Sequence, residues 1–75
     1  MWIKVSKRII VNTNDFRNME IDSNNGKYYI KGHYADNGTC IIFEHEDVEM
    51  CEKVLNYIYS GIEKKATAFD TSEFK

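Results

Sequence analysis

The chain has 75 residues, with 10 basic against 12 acidic side chains, a net charge of −2 and 2 cysteines. That length holds one domain without room for a second core, a sequence pI of 5.6 excludes a nucleic-acid polycation, and no apolar run approaches the roughly 20 residues that span a bilayer. Two cysteines, and a Met1 that leads straight into a strand-like segment without a cationic leader, give no sign of a disulfide framework, so the expected compartment is the cytoplasm.

Trp2 to Val5 reads as a short strand, and Arg8 to Val11 as a second or its continuation, because Ile9, Ile10 and Val11 are β-branched and rarely all exposed. Asn12-Thr13-Asn14-Asp15 is a turn by composition, since these side chains bond nearby backbone groups and compete with a ladder. Asn25-Gly26 and Asn37-Gly38 are each flanked by alternating residues and predict two-residue type I′ hairpins. The first register sets Ile21 opposite Ile30, Glu20 opposite Lys31 and Met19 opposite Gly32. The second sets Tyr34 opposite Ile41, Gly32 opposite Phe43 and Lys31 opposite Glu44. Lys31 would then lie between Glu20 and Glu44, and the Phe43 ring would cover Gly32. The inner face is expected to hold Met19, Ile21, Tyr28, Ile30, Tyr34, Ile41 and Phe43. Ile42 would point outward beside Ala35, Cys40 and His33.

Asp47 to about Ile62 has an unbroken helical period. Val48, Cys51, Val54, Leu55, Ile58 and Ile62 form one stripe, while Glu49, Glu52, Lys53, Asn56 and Ser60 take the other side. Asp47 is a candidate N-cap, and Glu46 and Glu49 suit the positive end of the helix dipole. The stripe is expected to cover the inner face of the meander. Beyond it, Ala66 to Phe69 suggests an added strand or a docked Phe69, and residues 70–75 read as a frayed tail with Phe74 as a contact. The fold class that results is α+β, an antiparallel β-meander of three to five strands with one C-terminal helix packed on one face, in a single domain spanning 1–75.

Zinc is the first chemistry to weigh, because His33, Cys40, His45 and Cys51 are suitable ligand types. Their spacing does not make a compact site: no C-x-x-C or H-x-x-x-H pair occurs, and Cys51 belongs to the helix stripe. A Cys40 and His33 pair on an open sheet lacks an orienting third group and oxyanion donors. The four glycines are scattered, which excludes a phosphate cradle. No catalytic, metal or cofactor-binding residue is assigned, no cofactor is expected, and enzymatic activity is not.

Residues 1–31 carry six basic and three acidic side chains, and residues 32–75 carry four basic and nine acidic ones. Lys4, Lys7, Arg8, Arg17, Lys27 and Lys31 therefore leave open a nucleic-acid-binding reading for the N-terminal sheet half. Glu44, Glu46, Asp47, Glu49 and Glu52 make the region around the helix start negative, suited to a basic protein partner. The candidate partner-binding set is Glu44, Glu49 and Glu52 with Ile42, Cys40 and His33. A domain of this size without disulfide or metal has a thin stability margin, so a homodimer or higher oligomer is expected, through the Ile42 and Cys40 patch or through an open sheet edge.

MWIKV at the start, YYIKGHYADNGTCIIFEHED and the helix CEKVLNYIYSGI together resemble the small proteins encoded by phages and mobile elements of low-GC Gram-positive bacteria. The likeness lies in a strand-initial Trp, a meander with D-N-G turns, and a final helix rich in Tyr and Ile. It implies a short non-enzymatic accessory protein of the host-cell cytoplasm that binds and modulates or inhibits a host protein complex, such as a defence system. It carries over no functional residue.

Overall fold

The computed structural model describes residues 1–74 as nine short elements. They are β1 (Trp2–Ser6), β2 (Ile9–Asn12), a 3-10 turn (Thr13–Asp15), β3 (Phe16–Asn24), β4 (Lys27–Tyr34), β5 (Thr39–His45), α1 (Val48–Glu63), β6 (Ala68–Asp70) and a second 3-10 turn (Thr71–Phe74). The fold is α+β, with six strands in two sheets ordered β2-β1-β6 and β3-β4-β5, and α1 packed on β4 and β5. The meander is the second sheet. The N-terminal hairpin and β6 build the first, in which β6 runs parallel to β1.

Asn25 at φ 53 and Gly26 at φ 78 form the expected type I′ turn. Its register is the predicted one, with Ile21 opposite Ile30, Glu20 opposite Lys31 and Met19 opposite Gly32. The second hairpin differs. Only Asn37 is left-handed there (φ 73), its N–H donates to Tyr34 O at 3.2 Å, and Tyr34 N–H donates to Gly38 O at 2.8 Å. The loop is therefore the three residues Ala35, Asp36 and Asn37, with Asp36 Oδ1 accepting from Gly38 N–H at 2.9 Å.

One extra loop residue changes which side chains face inward, because the strand period is 2. Lys31 lies opposite Ile41, and Gly32 opposite Cys40. A bulge then leaves Ile42 without a partner before Phe43 pairs with Ile30, so Ile42 and Phe43 both point into the core. The expected outward Ile42 is thus corrected to a buried one, and Ile41, expected inside, is exposed. A further bulge at Arg17 turns Phe16 inward, opposite Tyr34. The ring that covers Gly32 is that of Phe16, not Phe43.

The core is Ile3, Ile30, Ile42, Phe43, Cys51, Val54 and Ile58, which joins both sheets to the helix. Asp47 caps α1 by accepting from Glu49 N–H at 3.0 Å. At the far end Ala66 N–H donates to Gly61 O at 2.8 Å and Lys65 N–H to Ile62 O at 3.1 Å, a Schellman closure with Lys65 left-handed at φ 60. This reverses the chain and delivers β6 to β1. The expectation of a frayed 70–75 segment is corrected over its described part. Thr71 is fully buried and its hydroxyl donates to Lys4 O at 3.0 Å, while the Phe74 ring lies 5.2 Å from Tyr57 and 5.6 Å from Phe69. Lys75 lies outside the described residues.

Candidate interaction site

The six residues of the sequence-derived partner set fall on three different surfaces. His33 and Glu44 lie on the outer face of the meander, Cys40 and Ile42 on its inner face, and Glu49 and Glu52 on the exposed side of α1. Ile42 is 1% exposed and carries no contact surface. Cys40 is half-buried opposite Gly32 rather than beside His33. It neighbours Tyr34, whose phenol is pushed above its ordinary pKa by desolvation and then by the Cys40 thiol. Cys51 is a core residue as expected: its thiol donates to Tyr28 O at 3.5 Å, and burial raises its pKa. Among the described residues no three His, Cys, Asp or Glu side chains are grouped to hold a metal ion.

The outer face of the meander is organised by two diagonal contacts, an ion pair and a histidine–carboxylate hydrogen bond. Lys31 lies opposite Glu20, yet its Nζ donates to Asp22 Oδ2 at 2.9 Å, and His33 Nε2 meets Glu20 Oε1 at 2.9 Å. Each of these two side chains reaches the carboxylate two residues along the neighbouring strand, within the span of a long side chain. Glu44 lies opposite Tyr29 and takes no part. The hydrogen bond and charge of Lys31, with the Ser23 N–H, hold the Asp22 carboxyl below its ordinary pKa. Its folded-state pKa is therefore below its unfolded one, so its contribution is complete above the unfolded value and is lost as pH falls through the folded value. Lys31→Glu is expected to lower Tm at about 0.01 M salt, and that loss is expected to shrink at about 1 M, where the Debye length is about 3 Å. A Tm unchanged at low salt would show that the diagonal pairs contribute nothing.

The basic residues of the N-terminal half are likewise divided. Lys4, Lys7 and Arg8 line one concavity with Asp70 and Ser72, whereas Lys27 shares another with Glu44, His45 and Glu46. Among the described residues these cations do not share one concavity.

Large apolar side chains at the surface were the feature least visible in the sequence. Trp2 (53% exposed) and Ile10 (63%) are diagonal neighbours on one face of β1 and β2, Ile9 (48%) is exposed on the other face, and Tyr59 (65%) and Ile62 (41%) are one turn apart on α1. Leu55, Tyr59 and Ile62 form with Met19 of β3 a groove of about 320 Å³ that Asn56 also lines. Glu52, seven residues before Tyr59, lies on the same side of the helix. This strip exists because α1 covers β4 and β5 and leaves the β3 side of its apolar stripe open. The sign of it in the sequence is Tyr59, an aromatic just outside the buried stripe. No helix among the described residues is long and apolar enough to cross a membrane. Comparison of the chain with protein-family models, with curated proteins and with solved structures finds no match.

Proposed function

We propose that this chain is a small non-enzymatic protein-interaction module, an accessory protein of the phage or mobile-element kind its sequence resembles, which binds a host protein complex and modulates or inhibits it. The observation that carries the reading is the open apolar strip of Met19, Leu55, Tyr59 and Ile62, with Glu52 two turns before Tyr59 on the same side of α1. Of the sequence-derived set, Glu49 and Glu52 are exposed on α1 and Glu44 on the outer face of the meander, and Glu52 is the one on the side of the strip. A strip of this chemistry suits a basic amphipathic segment of a protein, with apolar side chains between Tyr59 and Met19 and cations toward Glu52. The division of the cations between two concavities disfavours nucleic acid as the partner.

The test is capture from a host lysate with and without nuclease, using the wild-type chain beside Tyr59→Ser and Glu52→Lys variants. Recovery of the same protein under both conditions, lost with each variant, is the expected result. Recovery of chiefly nucleic acid, with binding that falls steeply with salt, would overturn the reading.

A further inference from the structure

Strand β2 is an outer strand whose protection as an edge is its short length alone. Its four residues, Ile9, Ile10, Val11 and Asn12, include no charge, no proline and no bulge of their own. Of the other outer strands, β3 carries Arg17, Glu20 and Asp22, β5 carries Glu44 and is interrupted by the bulge at Ile42, and β6 has three residues ending in Asp70. The direction of the β2 backbone groups follows from two bonds. Trp2 N–H donates to Thr67 O at 2.9 Å on the β6 side, and Thr13 N–H donates to Met1 O at 2.9 Å. Alternation along the antiparallel ladder then bonds Ile3 to Val11 and turns the N–H and C=O groups of Ile10 and Asn12 away from β1, toward the open edge. Ile9 and Ile10 are exposed on opposite faces of this edge, and Trp2 is the diagonal neighbour of Ile10.

We infer that the occupant of this edge is a second copy of the chain, paired antiparallel through β2 about a two-fold axis at Val11. The inference rests on the reading of the chain as an interaction module but uses a surface separate from the α1 strip. In that register Ile10 faces the partner's Asn12, and the two three-stranded sheets become one of six strands. The choice of a second copy comes from charge. β2 is preceded by Lys7 and Arg8 and followed by Asp15, so a two-fold copy sets the basic end of each strand against the acidic end of the other. A β3 pair centred on Glu20 would instead set Glu20 against its own copy. The strand is short and the interface falls below about 1,200 Å², which places the dimer in the weak, concentration-dependent class.

Sedimentation equilibrium of the full chain from about 10 µM to about 1 mM tests this, and twice the 8.8 kDa chain mass is expected at the upper end. Ile10→Lys is expected to weaken association at least about tenfold with an unchanged circular dichroism spectrum. Ile10→Pro, which removes only an outward N–H, is expected to do the same. Lys7→Glu alone is expected to weaken the dimer, and Lys7→Glu with Asp15→Lys to restore it. A mass of 8.8 kDa at every concentration overturns the inference. So does a dimer indifferent to both Ile10 variants, or one abolished by Tyr59→Ser, which would move self-association to the α1 strip. Lysate capture that survives Ile10→Lys leaves the interaction reading standing whichever way the dimer falls.

Discussion

Replacing Ile42 by alanine is expected to lower stability by about 2–5 kcal/mol, read from urea denaturation followed by circular dichroism. The side chain is 1% exposed and packs in the cluster of Ile3, Ile30, Phe43, Cys51, Val54 and Ile58. Its removal loses transfer free energy and leaves a cavity where two sheets and the helix meet. A chain of 75 residues has a total stability of roughly 4–11 kcal/mol, so the loss is a large share of it. Ile41→Ala is the control, because the same residue type one position earlier is 49% exposed, and its expected effect stays within about 0.5 kcal/mol. The reverse order, with Ile41 the costly site, would restore the two-residue turn at Asn37-Gly38 and refute the bulge.

The Ile41 and Ile42 comparison also marks where the sequence stops being informative. Asn25-Gly26 was decisive because both residues take positive φ, which the dipeptide signals directly. Asn37-Gly38 carries the same letters, but Asp36 holds Gly38 N–H and leaves Asn37 alone in the left-handed region. The run Cys40-Ile41-Ile42-Phe43 could not arbitrate, since every residue in it tolerates burial. The bulges at Val5, Arg17 and Ile42 have no glycine or other compositional mark, and each reverses the facing of the residues beyond it. The helix and its Asp47 cap were legible, because a 3.6-residue period sustained over four turns does not depend on any distant register.

The interaction surfaces were less legible than the fold for a related reason. The helical period places Glu49 and Glu52 correctly and the first hairpin places His33 on the outer face, whereas the facing of Ile42 and Cys40 depends on the second hairpin. Trp2, Ile9 and Ile10 look like core residues in sequence. Trp2 and Ile10 are exposed because the small β2-β1-β6 sheet has nothing against its outer face among the described residues, and Ile9 because it lies at the open end of β2, on the face that buries Ile3. Phe74 docks because the turn at Lys65 sends the chain back along β1, a geometry no local pattern announces.

Gly32→Val sets two principles against each other, and steric overlap is expected to win. On propensity alone, valine in a strand interior is favoured over glycine by on the order of 1 kcal/mol. A Cβ at position 32, however, would lie 2.6, 2.7 and 2.8 Å from the Cε1, Cδ1 and Cζ atoms of Phe16. That ring also packs against Tyr34, with centroids 5.0 Å apart, and is turned inward by the bulge at Arg17. Valine must expel it, and overpacking of this kind costs about 1–3 kcal/mol. With Phe16→Ala already in place the overlap is gone, so the same Gly32→Val change is expected to be neutral or stabilising. The two substitutions should therefore be coupled by about 1 kcal/mol or more in a double-mutant cycle from denaturant midpoints. Additive effects would mean that Phe16 is not the residue covering Gly32, and with it would go the bulge that turns Phe16 inward.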